Sequence, residues 1–146
     1  MIRRQCSVLF TISALSLALC SPSGAATTIN GAAILDNPCG KVAVKQMGLI
    51  HAGKFEDANK LSTPEMQAQW KAAPAKDRAM MSDMAKEMSQ TEAQFAADIK
   101  ASGVLVVDAS TAKLTVKKTT KDANGTSTST TTQDFKLNGS ECMVSR

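Results

Sequence analysis

Residues 103–116, GVLVVDASTAKLTV, mark the point at which the residue pattern of this chain changes. Before Gly103, apolar residues recur every three or four positions, which is the period of an amphipathic helix. After it, residues 104–109 form a run rich in valine, and residues 113–120 alternate as a strand does. The sequence therefore predicts helices first and strands second. This order is typical of an α+β domain with the helices packed on one face of a curved sheet.

The part after Gly103 predicts an antiparallel meander of three to four strands. DANG at residues 122–125 is typical of a hairpin turn, and Asn138-Gly139 predicts another tight turn. Between them, TSTSTTTQDFKL at residues 126–137 fits a threonine-rich strand, with a low-complexity linker as the alternative. Residues 140–145 predict the last strand, on which Cys142 and Val144 point the same way.

The helical part has its own start and stop signals. Thr63 before Pro64 predicts a helix start, as does Thr91 with Gln94 three residues later, which is the pattern of a capping box. Gly53 predicts the end of the first helix. The apolar positions of the predicted helices are Ala43, Met47, Ile50, Phe55, Ala58, Leu61, Met66, Trp70, Phe95 and Ile99.

The beginning of the chain has the three-part layout of a secretory signal peptide. Arg3 and Arg4 precede an uncharged, mostly apolar run of residues 8–19, and small residues follow it. We therefore predict a signal peptide at residues 1–25, a loose lead-in at residues 26–39 and a single α+β domain at residues 40–146. The predicted location is the bacterial periplasm or the outside of the cell.

An alternative for the leader is a lipoprotein signal. LALC ends at Cys20, which would then be lipidated and become the first residue of a membrane-anchored protein. Leu19 departs from this pattern, because the position before a lipidated cysteine normally carries a small residue.

The charge of the chain gives no indication of a nucleic-acid face. Removing Arg3 and Arg4 with the leader lowers the net charge from +4 to +2. The densest basic stretch, KLTVKKTTK at residues 113–121, alternates as a solvated strand does. We predict no binding of nucleic acid, and contact with a membrane only through an anchor at Cys20.

Cysteine use predicts a disulfide. The part after the leader contains only Cys39 and Cys142, and an even pair in an exported protein is most simply a disulfide bond. Their spacing is not the C-x-x-C of a redox-active pair. The bond would tie the start of the first helix to the last strand.

The layout resembles the nuclear transport factor 2-like superfamily, in particular small exported bacterial members of unknown function. The residues that carry the resemblance form one motif, consisting of Gly53, Lys54, Phe55, Ala58, Leu61 and Pro64. Gly139 also fits the last hairpin of such proteins, whereas Cys142 stands where a tryptophan is expected. The resemblance covers residues 40–145 and implies a cone, a curved sheet wrapped around a helix with a pocket at its open end.

Residues that could carry catalysis are few and scattered. His51 is the only histidine, and its place near a helix end favours a capping or dipole role. Asp98 and Asp108 have no visible partner base, and no nucleophile, phosphate-loop or zinc motif is present. We therefore predict that the protein is not an enzyme and uses no cofactor.

Methionines form the sharpest local feature. Met81, Met84 and Met88 lie at i, i+3 and i+7 on one predicted helix. A helix packed on a sheet would bury such a stripe in the core, and this is the interpretation that we favour. The alternatives are an adaptable surface for a protein partner and a Cu(I) site, since thioethers are soft ligands.

These observations predict an exported binding protein whose partner is another protein, for example an immunity or inhibitor protein that binds a toxin. A small-ligand carrier or weak enzyme that uses the cone pocket is one alternative. A methionine-rich Cu(I)-binding periplasmic protein is the other.

Overall fold

The computed structural model describes residues 25–123 and 125–146. Residues 1–24, which contain Cys20 and nearly all of the predicted signal peptide, lie outside this description. Among the residues described, no helix is both long and apolar enough to cross a membrane.

The described chain is an α+β domain, as predicted. Strand β1 (Thr27–Asn30) and a 3₁₀ helix (Gly31–Asp36) come first. Five helices follow, namely α1 (Pro38–His51), α2 (Phe55–Asn59), α3 (Pro64–Ala72), α4 (Ala75–Met88) and α5 (Glu92–Ser102). Four strands end the chain, namely β2 (Val104–Val107), β3 (Thr111–Asp122), β4 (Gly125–Asn138) and β5 (Glu141–Val144).

The sheet has five antiparallel strands in the order β1-β2-β3-β4-β5, so the prediction of three to four strands was one strand short. The additional strand is β1, which pairs with β2 through Thr27 to Val107 and Asn30 to Val104. Its four residues, TTIN, are too short to show alternation. The strand forms because β2 offers it an edge, and this edge is not visible in the local sequence.

The predicted loose lead-in at residues 26–39 is therefore ordered and belongs to the domain. Ile34 of the 3₁₀ helix has no exposed surface, and the helix packs against both α1 and α5. Gly31 N–H also donates to the carbonyl of Gly103, at 3.0 Å. The turn signals at Asn37 and Pro38 mark the start of α1 rather than the start of the domain, because Asn37 caps that helix through Cys39 N–H.

The predicted helix starts are confirmed. The Thr63 side chain accepts from Met66 N–H with Pro64 in the first turn, and Thr91 and Gln94 form the reciprocal capping box. The threonine-rich stretch is strand β4 and not a linker, since residues 125–138 pair with β3 or β5 along their whole length.

One face of the sheet carries the core. The 3₁₀ helix, α1 and α5 cover it, and the fully buried large side chains are Ile34, Phe95, Ile99, Leu105, Leu114 and Phe135. At the β5 edge the α2–α3 connection continues the hydrogen bonding. Thr63 N–H donates to Val144 O at 2.8 Å, and Val144 N–H donates to Leu61 O at 2.9 Å.

The structure contains the predicted disulfide. Cys39, in the first turn of α1, is bonded to Cys142 of β5, and both residues are buried. The bond joins the helical layer to the last strand, as predicted. A buried disulfide of this kind indicates a non-reducing environment.

The prediction that the methionine stripe is core was wrong. No residue of α4 is buried, and Met81, Met84 and Met88 are 41%, 55% and 81% exposed. The physical reason is that the 3₁₀ helix, α1 and α5 already cover the sheet. Helix α4 packs instead on the outer side of α1.

Candidate functional site

An apolar groove lies among four helices on the outer side of the helical layer. We call it the helical groove, and it encloses about 200 Å³. Its lining residues come from α1 to α4 and the α2–α3 connection, and they are Gln46, Ile50, Phe55, Ala58, Asn59, Ser62, Met66, Trp70, Met81 and Ala85. Most of this surface is hydrocarbon or aromatic, so the groove suits apolar groups rather than ions.

Trp70 is the largest side chain in the helical groove and is held in place by a polar contact. Its indole Nε1–H donates to Glu56 Oε1 at 3.2 Å, across from α3 to α2. The residue is half-buried, so part of the ring is available to a bound group. A half-buried aromatic ring with its polar end satisfied is the type of residue that dominates binding energy at protein interfaces.

The floor of the helical groove contains a buried polar network that the sequence analysis missed. Gln46 Nε2 donates to Ala58 O at 3.4 Å and to Ser62 Oγ at 3.3 Å, and Gln46 Oε1 accepts from Gln133 Nε2 of β4. Gln67 Nε2 also donates to Ser62 O at 2.8 Å. The network links α1, the α2–α3 connection and the sheet. The available signal was the place of Gln46, three residues after Ala43 on the apolar side of α1.

Replacing Gln46 with leucine should lower the free energy of unfolding by about 1–3 kcal/mol, because it leaves the buried Ser62 and the half-buried Gln133 without their partner. Urea unfolding followed by circular dichroism measures this change. Gln69→Leu on α3 is the matched control, since Gln69 is exposed and should change stability by no more than about 0.5 kcal/mol. Equal stability of the two variants would contradict a structural role for the network.

A second cavity, of about 350 Å³, lies between the helices and the sheet. We call it the sheet-side cavity. Its lining residues are Met47, Met88, Gln90, Phe95, Asp98, Val116, Lys118, Ser129, Thr130 and Thr131. Lys118 Nζ lies 3.6 Å from Asp98 Oδ2, so an ion pair forms part of the wall.

The methionines for which Cu(I) binding was an alternative are divided between the two cavities. Met81 lines the helical groove, whereas Met88 lines the sheet-side cavity. Seven residues of helix separate them by about 10 Å along the axis. The structure thus does not bring Met81, Met84 and Met88 together, and copper binding stays a prediction. Among the residues described, no group of three His, Cys, Asp or Glu side chains could hold a metal ion.

The residues considered for acid–base chemistry lie apart from each other. His51 Nδ1 is 3.4 Å from Ser89 Oγ at the exposed end of α1, while Asp98 pairs with Lys118 in the sheet-side cavity. Asp108 accepts from Ala109 N–H at 2.7 Å in the turn after β2. The structure does not place any two of these three side chains in contact.

The charged groups with shifted pKa values lie at the exposed ends of α2 and α3. The hydrogen bond from Lys60 lowers the pKa of Asp57, and the same bond, at 2.8 Å, raises the pKa of Lys60. A bond from its own backbone N–H lowers the pKa of Glu65 in the first turn of α3. All three groups face solvent, where such pairs add little to stability.

Comparisons of the chain with protein-family models, with curated proteins and with solved structures found no match. The resemblance to the nuclear transport factor 2-like superfamily therefore stays a prediction. Any functional assignment depends on the chemistry of the two cavities and the exposed surfaces.

Proposed function

We propose that this chain is an exported, non-catalytic binding protein that accepts one or two apolar side chains of a protein partner in the helical groove. The observation that carries the proposal is the groove itself, with the half-buried Trp70 at its wall and the exposed Met81 at its mouth. Apolar pockets of this kind, next to exposed methionines, are typical of adaptable protein recognition.

The size of the helical groove favours a protein partner over a small molecule. Pockets for drug-sized ligands enclose about 300–1,000 Å³. The groove, at about 200 Å³, is smaller than this range and fits single side chains instead. Exposed Met80 and Met84 extend the apolar surface beyond the groove along α4, which gives a partner segment more area than the cavity alone.

The partner belongs to the compartment in which the disulfide forms. We propose the bacterial periplasm or the extracellular medium, on the basis of the predicted signal peptide and the Cys39–Cys142 bond. An immunity or inhibitor protein that neutralises a toxin is a role that needs only a pre-formed binding surface. The network of Gln46, Ser62 and Gln133 supports such preorganisation, because it fixes the floor of the groove.

Replacing Met81 with lysine should weaken partner binding at least tenfold, because it places a charge at the mouth of an apolar groove (about 1.4 kcal/mol or more). Met88→Lys is the matched control at the other end of α4, outside the groove. Immobilised wild-type protein and both variants are compared by quantitative mass spectrometry on the same periplasmic extract. The expected partner is retained by wild type and by Met88→Lys, and is lost from Met81→Lys.

The captured protein is then purified and titrated against the wild type while Trp70 fluorescence is recorded. Trp70 is the only tryptophan and the chain has no tyrosine, so with excitation at 295 nm and the partner's emission subtracted, the spectrum reports the helical groove alone. Covering the indole should shift its emission to shorter wavelength. Retention of the same proteins by the wild type and by both variants, or an unchanged Trp70 spectrum at saturation, would contradict the proposal.

The sheet-side cavity favours a second candidate, a small-ligand carrier. Its volume of about 350 Å³ falls within the range of ligand pockets, and the Asp98–Lys118 pair offers polar contacts beside Phe95 and Val116. The same pair of variants separates the candidates. A small molecule that co-purifies with wild type in native mass spectrometry and is lost from Met88→Lys, but not from Met81→Lys, would favour the carrier.

A further inference from the structure

The long β3–β4 hairpin extends beyond the rest of the sheet and leaves one edge of β4 without a partner. Strand β5 pairs with β4 only from Phe135 to Asn138. The C-terminal residues add one more step, because Asp134 N–H donates to Arg146 O at 3.1 Å and Ser145 N–H donates to Asp134 O at 2.8 Å. Within residues 25–123 and 125–146, no strand pairs with this edge from Thr126 to Gln133.

The direction of the free backbone groups follows from Asp134. Its N–H and C=O point toward the β5 side, and along a strand successive residues alternate in the direction of these groups. The register of β4 with β3 is continuous, so the even-numbered positions keep the same direction. The outward-pointing residues are therefore Thr126, Thr128, Thr130 and Thr132.

The side chains on this edge are unusual because none is charged. Residues 126–132 read TSTSTTT and contain neither lysine nor proline, the residues with which natural sheets protect their edges. Threonine favours the strand conformation, and facing threonines stabilise a strand pair. The edge is thus suited to accept another strand.

We propose that a second copy of this chain pairs with β4 in antiparallel orientation along residues 126–132, which joins the two sheets into one. A two-fold axis at Ser129 places Thr128 opposite Thr130 and Thr126 opposite Thr132 of the partner copy. Every residue in this register faces a hydroxyl side chain, so no charge opposes another. This surface is separate from the helical groove, and the proposal does not depend on the function assigned to that groove.

The length of the free edge fits this register. At one end β4 begins at Gly125, and at the other the C-terminal segment occupies the edge at Asp134. In the pairing centred on Ser129, Asp134 of the partner copy, where the edge of that copy becomes occupied, lies just beyond Gly125 of the first copy. The paired segment therefore coincides with the uncharged run and meets no strand already in place.

The opposite edge of the hairpin, on β3, does not offer the same pairing. Ser102 Oγ donates to Lys117 O, and Lys117 N–H donates to Ser102 Oγ at 3.1 Å. The start of that edge is therefore occupied. In a pairing centred on Thr119, the exposed Lys117 and Lys121 would also face each other across the two copies. Like charges on paired strands are destabilising.

Thr130→Pro tests the proposal on the purified protein. Proline removes an N–H that points away from β3, so the β3–β4 ladder keeps its bonds while the approach of a second strand is blocked. Thr119→Pro is the matched control. Thr119 has the same direction as Lys117, and its N–H therefore points to the β3 edge. Circular dichroism and urea unfolding show whether each variant retains the fold.

Analytical ultracentrifugation over a concentration series should give a concentration-dependent dimer for wild type and Thr119→Pro. Thr130→Pro should remain a monomer or raise the dimer dissociation constant at least tenfold. If Thr130→Pro is poorly folded, Thr128→Lys with Thr130→Lys replaces it, because facing lysines then repel. A wild type that is monomeric at every concentration overturns the proposal. This holds also if the monomer binds an extended peptide of another protein. A dimer that persists in the β4 variants, or is lost in Thr119→Pro, also overturns it.

Discussion

A variant without the disulfide, Cys39→Ala with Cys142→Ala, should unfold with a free energy about 4–5 kcal/mol lower than that of wild type. The bond closes a loop of 103 residues, and restricting so long a loop in the unfolded chain is its main expected contribution. Domains of this size are stable by only about 5–15 kcal/mol, so the loss is a large part of the total. Urea unfolding, followed by circular dichroism and by Trp70 fluorescence, measures it.

Reduction provides the control for this experiment. Dithiothreitol should destabilise wild type by a similar amount and leave the double variant unchanged, because the variant has no bond to reduce. The oxidised wild type should also unfold with a smaller dependence on urea, since the closed loop keeps its unfolded state more compact. A wild type that is insensitive to reductant and matches the variant in stability would show that the bond does not stabilise the fold.

The features that sequence predicted well are those with a local cause. The change of period at Gly103 separates the helices from the main strands, and the Thr91–Gln94 capping box is complete within four residues. The Cys39–Cys142 pair required only counting, because the part of the chain after the predicted leader has no other cysteine.

The features that sequence did not predict depend on distant partners. Strand β1 exists because β2 provides an edge, and four residues carry no periodic signal of that pairing. The methionines of α4 have the spacing of a buried stripe, but spacing states only that one side of a helix is apolar. Whether that side is buried depends on the other helices. Here α1, α5 and the 3₁₀ helix cover the sheet, so the apolar side of α4 is not buried against it.

The candidate site shows the same division. Trp70 and Met66 could be placed on one side of α3 from their spacing, and Met81 on α4. Their convergence on one groove depends on how the four helices pack, which the sequence pattern leaves open. Gln46 was missed because a polar residue among apolar ones suggests exposure until its partners, Ser62 and Gln133, are known.

Gly40→Ala should destabilise the domain by at least about 3 kcal/mol, although alanine normally favours a helix over glycine by about 1 kcal/mol. Gly40 lies in the first turns of α1 against the 3₁₀ helix. A Cβ there would lie 1.9 Å from the Ile34 carbonyl oxygen and 2.7 Å from its carbon. These are backbone atoms of a residue with no exposed surface, so neither element can move without opening the core.

Gly48→Ala is the matched control on the same helix. Its Cβ would lie 2.1 Å from Cγ of Glu92, but this neighbour is an exposed, flexible side chain that can rotate away. This variant should change stability little or increase it by up to about 1 kcal/mol. The two free energies of unfolding, measured in urea under the same conditions, should therefore differ by about 3 kcal/mol or more. Equal values would mean that the 3₁₀ helix moves away from α1 to make room for the added methyl group. The 3₁₀ helix would then not be a fixed part of the core.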